Sequence, residues 1–126
     1  MIKYLIDADS VIYATSGRFP AMAIRLEACA PGEVAVSAVS FAEVELGAQS
    51  GHAPAPDVLD AFVEVIPILP FDEAAARAYA RLPFKRARFD RLLAAHALSI
   101  GAVIVTNNEA DFADVPDIKV ENWTRP

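Results

Sequence analysis

Four acidic residues, far apart in the chain, follow apolar runs or stand near the start of a helical pattern: Asp7, Glu43, Asp90 and Asp111. Because the carboxyl ends of parallel strands meet at one edge of an open sheet, we expect these side chains to share one crevice. Carboxylates that crowd together raise one another's pKa, so such a cluster requires a bound cation. Oxygen ligands favour Mg²⁺ or Mn²⁺, and ions of this kind commonly act on phosphate esters.

Each of these acids also has an ordinary structural explanation. Asp7 could cap a helix that follows the first strand. Ser40 and Glu43 have the spacing of a capping box, in which the glutamate only satisfies a backbone donor. Asp90 would be favoured by the dipole at a helix start, and Asp111 could be a solvated loop residue. The interpretation as a metal site therefore depends on all four acids converging.

Alternating apolar patterns predict the elements that would position these acids. Strands are predicted at 2–6, 34–37, 66–69 and 102–105, with a weaker one at 118–120. Helices are predicted at about 10–16, 21–30, 40–50, 57–65, 72–82 and 89–100, with Asp57 and Asp72 as caps of the fourth and fifth. Strands that alternate with helices predict an α/β fold with a mainly parallel sheet of four or five strands.

Composition limits the domain organisation and the cellular compartment. A chain of 126 residues with 55% apolar residues is long enough for one domain, spanning 1–126. A single cysteine, Cys29, excludes an internal disulfide, and we find no signal-peptide pattern, so we expect a cytoplasmic protein.

Polar residues such as His96 interrupt the uncharged stretch 92–108, so we do not interpret it as a membrane span. We interpret His96, Cys29 and Trp123 as packing residues.

Four segments carry the acids: YLIDAD at 4–9, SAVSFAEVELG at 37–47, FDRLLAAHAL at 89–98 and VTNNEADF at 105–112. In this order and spacing they resemble the motifs of the PIN-domain ribonucleases, and specifically of the VapC toxins of VapBC modules. The resemblance implies a three-layer α/β/α domain that acts as a metal-dependent RNA endonuclease, usually dimeric and neutralised by a VapB antitoxin. It also implies that the four acids hold Mg²⁺, or Mn²⁺, and that Thr106 supplies a supporting hydroxyl.

Two further acids leave the composition of the site open. Asp9 stands where the family more often has asparagine, so it could be a further ligand or could bond to one. Glu109 competes with Asp111 for the role of the fourth acid. The sequence alone does not decide between them.

Basic residues are concentrated in one stretch of an otherwise acidic chain. The net charge is −6, yet six of the eleven lysines and arginines fall between 77 and 91. We expect Lys85, Arg86 and Arg88 to contact RNA phosphates without reading the base sequence. The alternative is a solvated face. The stretch before Asp90 is also shorter than in typical family members, which leaves the RNA target open.

Two other functions fit parts of the sequence. Asp7-Ala8-Asp9-Ser10-Val11 matches the DxDxV motif of a haloacid-dehalogenase-like phosphatase, but no lysine lies between Arg86 and Lys119 and no Gly-Asp pair is present. A receiver-like phosphoacceptor domain would need Asp72 as its phosphorylated residue. Neither alternative gives Glu43 and Asp90 a joint role.

Overall fold

The structure, a computed structural model of the chain, describes residues 1–84 and 88–126. Five strands lie in that part of the chain: β1 (Tyr4–Ile6), β2 (Val34–Ser37), β3 (Ile68–Leu69), β4 (Val103–Val105) and β5 (Val120–Glu121). Its helices are α1 (Ala8–Ser16), α2 (Pro20–Ala28), α3 (Ala38–Gln49), α4 (Pro56–Val65), α5 (Glu73–Ala80) and α6 (Phe89–Ile100), with a 3-10 helix at Glu109–Phe112. The predicted order of elements is confirmed.

The strands form one parallel sheet in the order β3-β2-β1-β4-β5. Tyr4 of β1 pairs with Val34 of β2 on one side and with Val103 of β4 on the other. The chain therefore builds outward from β1 in one direction and later returns to build outward in the opposite direction. In sheets of this kind, ligands bind beyond the carboxyl ends of the strands at the point of reversal, which here lies between β1 and β4.

Alternate residues of the central strands pack against helices on opposite faces of the sheet. One face buries Ile6, Val36 and Val105 together with residues of α1, α2, α3 and α4. The other face buries Leu5, Ala35 and Ile104 together with α6 and residues that follow β4. Strands covered on both faces are apolar at successive positions, as the predicted runs were. The three-layer α/β/α architecture is confirmed.

Small side chains bring α5 and α6 close to each other. Ala75 and Ala78 of α5 are buried, as are Ala94 and Ala97 of α6, and the two helices pack together. The first turn of α6 begins at Phe89. That turn carries Asp90, and the helix spans the residues that the sequence predicted.

Three predicted helix starts were wrong. Helix α1 begins at Ala8, two residues before its predicted start. Helix α3 begins at Ala38, and the side chain of Ser37 caps it by accepting from the backbone N–H of Val39 (3.1 Å). Ser40 is buried inside the helix, so the capping-box interpretation of Glu43 does not hold. Helix α4 begins at Pro56, which leaves Asp57 in the first turn instead of at the cap.

Other predicted packing and capping roles are confirmed. Asp72 caps α5 by accepting from the backbone N–H of Ala75 (3.0 Å). His96 is buried, and its Nδ1 forms a hydrogen bond with Oγ of Ser37 (2.8 Å). Trp123 is also buried, and its indole N–H donates to Oε1 of Glu121. Among the helices of the described ranges, none combines the length and the apolar character that a membrane crossing needs.

Candidate active site

Asp7 lies at the reversal point of the sheet and has two structural contacts there. Its backbone N–H donates to the carbonyl of Val105 at the end of β4 (3.0 Å). Its carboxylate caps α1 by accepting from the backbone N–H of Ser10 (2.8 Å). The Ser10 hydroxyl in turn donates to the same Val105 carbonyl (3.2 Å). These bonds fix Asp7 between β1 and β4, so its role as a cap does not exclude a role in a site.

The four predicted acids line a single cavity of about 290 Å³. Four different elements supply them: the turn after β1, helix α3, the first turn of α6, and the 3-10 helix that follows β4. Asp9, Arg88, Phe89 and Asn108 also line this cavity. Glu109 does not face it, because its Oε1 accepts from Arg125 near the end of the chain (2.6 Å). The structure thus brings Asp111, and not Glu109, to the other acids.

The carboxylates in this cavity perturb one another. Burial raises the pKa of Asp7 above its ordinary value, and interactions with Thr106 and Ser10 only partly counteract it. Burial also raises the pKa of Glu43, and the negative charges of Asp7, Asp9 and Asp90 raise it further. Both effects penalise the ionised form, so a nearby cation would stabilise the cluster.

A cation of the chain already lies against two of these acids. Nε of Arg88 bonds to Oδ1 of Asp90 (3.1 Å) and its Nη2 bonds to Oδ2 (2.6 Å). The same Nη2 lies 3.7 Å from Oδ1 of Asp111. Arg88 was expected to contact RNA phosphates, whereas here its guanidinium bonds to carboxylates.

The remaining members of the predicted basic stretch have different positions. Lys85 and Arg86 lie outside the described residues. Arg91, which also belongs to the stretch 77–91, is only 3% exposed and its Nη2 donates to Asp114, so it cannot contact RNA phosphates as the stretch was expected to do. Arg77 is exposed and bonds to Glu73 on the same helix (2.8 Å).

Thr106 and Asn108 connect the loop after β4 to the acids. Thr106 is buried; its hydroxyl accepts from the backbone N–H of Asn108 (3.0 Å), and its interaction with Asp7 lowers the pKa of that carboxyl. The side-chain amide of Asn108 donates to Oδ2 of Asp9 (3.1 Å). Sequence reasoning missed Asn108. Its position three residues beyond β4 was the available signal, because residues that follow a strand at the reversal point face the crevice.

The donor set fits a hard divalent cation in its chemistry. Every acidic side chain in the cavity offers carboxylate oxygens, the ligands that Mg²⁺ and Mn²⁺ prefer. Within residues 1–84 and 88–126, however, no three acidic, histidine or cysteine side chains are grouped closely enough to coordinate a metal ion. Among the described residues that line the cavity, Arg88 is the one with a cationic side chain.

The receiver-like alternative is not supported by the position of its key residue. Asp72 caps α5 and is not among the residues that line the acidic cavity. The positions of Asp7 and Asp9 are compatible with the phosphatase alternative, because both residues line that cavity. It leaves the presence of Glu43, Asp90 and Asp111 unexplained.

Comparison with known proteins gives one consistent result. The PIN domain family model matches residues 4–118. The chain is 30% identical to a tRNA(fMet)-specific endonuclease VapC from Shigella flexneri over 133 residues, covering 98% of this chain and 100% of that protein. It is 29% identical to a ribonuclease VapC2 from Haemophilus influenzae, with coverage of 98% and 99%.

Solved structures agree with the sequence matches. The chain superposes on VapBC2 from Rickettsia felis, bound to a DNA fragment from its promoter, with a TM-score of 0.84 and 27% identity over 98% of this chain and 99% of that chain. It superposes on VapBC-1 from nontypeable Haemophilus influenzae with a TM-score of 0.79 and 26% identity, over 99% and 100% of the two chains. The similarity therefore extends over the whole fold, including the elements that carry the acids.

Proposed function

Because this chain belongs to the PIN-domain family, and within it to the VapC group, we propose that it is a metal-dependent endoribonuclease. The observation that carries this proposal is the convergence of Asp7, Glu43, Asp90 and Asp111 on one cavity at the reversal point of the sheet. Family membership separates this function from the phosphatase and receiver alternatives, whose motifs explain only part of the cavity.

We assign metal binding to these four carboxylates, with Mg²⁺ as the ion and Mn²⁺ as a substitute. The carboxylate of Asp7 accepts a hydrogen bond from Ser10, and an interaction with Thr106 favours its ionised form. These contacts support a role for Asp7 as a ligand of fixed orientation, with Thr106 as its positioning residue. A bound Mg²⁺ would supply an activated water and would offset negative charge on the phosphate oxygens. The chain's own contribution is to hold the carboxylates and to place the RNA backbone beside them.

RNA is the proposed substrate because the curated relatives are named ribonucleases or a tRNA endonuclease. Carboxylates alone would serve DNA equally well, so they do not carry this choice. A protein distinguishes RNA from DNA chiefly by contacts with the 2′-hydroxyl and with unstacked bases. Initiator tRNA is the first substrate to test, since the Shigella flexneri relative is named for it.

The test compares Asp90→Asn with a matched control that makes the same chemical change elsewhere. Asp60 is exposed on α4 and is not among the residues that line the acidic cavity. We expect the wild type and Asp60→Asn to cleave end-labelled tRNA with Mg²⁺ and not with EDTA, whereas Asp90→Asn should be inactive. Equal cleavage by both variants, or cleavage in EDTA, would contradict the proposal.

We also propose a VapB-like antitoxin as partner, because the similar structures are of VapBC assemblies. A cationic side chain of the antitoxin that reaches the carboxylates would compete with the metal. Growth arrest on expression of the chain should be relieved by the co-expressed antitoxin, and the purified complex should cleave RNA more slowly than the free chain. Equal rates for the complex and the free chain would refute this mechanism.

A homodimer is the proposed oligomeric state. Large apolar side chains on α3 and α4 support a protein contact, because Leu46 is 70% exposed and Val65 is 75% exposed. Light scattering coupled to size exclusion should give twice the chain mass. A monomer at micromolar concentration would contradict this proposal.

A further inference from the structure

We propose that Arg88 is a built-in counter-ion of the acidic cavity, which must leave Asp90 and Asp111 before a divalent metal ion binds and so sets the metal affinity of the site. The inference rests on the proposed function, since it concerns the same cavity. It adds a residue of this chain that competes with the metal ion and that lies outside the four segments that carry the acids.

Arg88 contacts Asp90 at two points. Two nitrogens of its guanidinium bond to the two oxygens of Asp90, at 3.1 and 2.6 Å. Such two-point pairing with a carboxylate is stronger and more specific than a single hydrogen bond. The contact at 3.7 Å with Asp111 extends the interaction to a second proposed ligand. Both carboxylates would therefore have to exchange this partner for a metal ion.

The local helix gives no reason for an arginine at this position. Arg88 is the N-cap residue of α6, and within the described residues its side chain makes no capping hydrogen bond. Serine, threonine, aspartate and asparagine are the residues that stabilise this position. A positive charge near a helix N-terminus is also disfavoured by the helix dipole. The side chain of Arg88 contacts Asp90 and Asp111. We therefore infer that it acts on the acidic cavity and not on the helix.

Exposure makes the exchange feasible. The side chain of Asp90 is only 15% exposed, whereas that of Arg88 is 46% exposed and that of Asp111 is 48% exposed. A poorly solvated carboxylate needs a cation nearby, and Arg88 supplies one in the absence of metal. An ion pair with a half-exposed partner is weak enough to open. Arg88 can therefore leave once another cation takes its place at Asp90.

The expected effect on metal affinity follows from the fraction of molecules in which the carboxylates are free. The apparent dissociation constant equals the intrinsic one divided by that fraction, so an arginine that stays in place about nine-tenths of the time weakens binding about tenfold. The positive charge of Arg88 also repels the incoming ion. Both effects disappear in Arg88→Gln, which should bind Mn²⁺ about tenfold more tightly than the wild type.

The experiment is calorimetric titration of Mn²⁺ into the full chain without RNA. Arg77→Gln is the matched control, because Arg77 is an exposed arginine bonded to Glu73 on α5 and is not among the residues that line the acidic cavity. The control should keep the wild-type affinity. The advantage of Arg88→Gln should shrink at high salt, since the half-exposed guanidinium is screened. Equal affinity of Arg88→Gln and the wild type, or an equal gain in the control, would overturn the inference.

A second measurement needs only the wild type. The Nε–H resonance of Arg88, identified by its loss in Arg88→Gln, should shift on titration with Mg²⁺ while that of Arg77 stays in place. An Arg88 signal that does not move at saturating Mg²⁺ would also overturn the inference.

RNA cleavage by the same samples separates this inference from the proposed function. Metal-dependent cleavage with no gain in Mn²⁺ affinity for Arg88→Gln would refute only the role of Arg88. A gain in Mn²⁺ affinity without cleavage of any RNA would refute only the proposed function.

Discussion

Asp7 has two roles that substitutions can separate. It caps α1 through its bond from the backbone N–H of Ser10, and it is a proposed metal ligand. Asp7→Asn removes the charge but keeps a side-chain oxygen, and asparagine caps helices as well as aspartate does. Asp7→Ala removes both. We expect both variants to lose cleavage and only the alanine variant to lose the cap.

The stability difference between the two variants isolates the cap. Neither variant carries the charge at position 7, so the effect of the charge cancels in the comparison. Loss of a capping side chain costs about 1 kcal/mol, which for a chain of 126 residues lowers the melting temperature by about 4 °C. Burial raises the pKa of Asp7 in the folded protein, so its ionised form is disfavoured there. Asp7→Asn should therefore melt no lower than the wild type.

Asp72 provides the matched control. It caps α5 through an equivalent bond from the backbone N–H of Ala75 (3.0 Å) and is not among the residues that line the acidic cavity. Asp72→Asn and Asp72→Ala should differ in melting temperature by a similar amount and should both retain cleavage. Melting is followed by circular dichroism in EDTA, so that metal binding does not contribute, and cleavage is measured on tRNA with Mg²⁺.

Two results would refute this reasoning. If Asp7→Asn cleaves RNA at the wild-type rate, Asp7 is a cap and not a ligand. If Asp7→Ala melts at the same temperature as Asp7→Asn, the bond from Ser10 does not stabilise the helix. Inactivity of the Asp72 variants would show that cleavage is sensitive to any loss of helix capping.

Glu43→Gln should abolish cleavage without lowering the melting temperature, because Ser37, and not Glu43, caps α3, and because burial and nearby carboxylates raise the pKa of Glu43. A lower melting temperature with intact cleavage would contradict this. Burial lowers the pKa of His96 below 6.5, so the unfolded chain takes up this proton more readily than the folded protein and the free energy of unfolding decreases as the pH falls below 6.5. Urea titrations should show a greater decrease in the free energy of unfolding from pH 7 to pH 5 for the wild type than for His96→Gln. Neutral substitution of Lys85 and Arg86 should weaken RNA binding for all sequences and reduce the log–log salt slope by about 0.7 per lost phosphate contact; an unchanged slope would assign them to a solvated face.

The sheet and most helices could be predicted because their signals are local. Runs of apolar residues mark strands buried on both faces, and alanines with apolar residues at helical spacing mark α6, which was predicted with its observed bounds. The start of α3 could not be predicted in the same way. Ser37 and Ser40 both fit a cap, and the choice depends on where β2 stops pairing with β3, at Ser37. That pairing is a tertiary property.

The basic stretch shows where counting charges fails. Arg88 and Arg91 are three residues apart in the sequence, yet one is exposed at the start of α6 and the other is 3% exposed beside Asp114. Their positions depend on their acidic partners, Asp90 for Arg88 and Asp114 for Arg91, which lie 2 and 23 residues away in the sequence. The choice between Asp111 and Glu109 has the same origin, because Arg125 binds Glu109 across 16 residues. Composition identifies such residues as candidates but does not assign their partners.

Asp90 is the carboxylate for which the proposed cations would compete. Ionising a carboxyl group that is only 15% exposed and lies among other acids is unfavourable without a nearby cation. Three kinds of cation would stabilise the ionised Asp90: Arg88, a divalent metal ion, or a basic side chain of the antitoxin. All three would bind the same oxygens, so they exclude one another. An antitoxin would then inhibit cleavage by competing at Asp90, without having to distort the fold. Metal affinity, resting state and neutralisation of the enzyme would all be set at this one carboxylate.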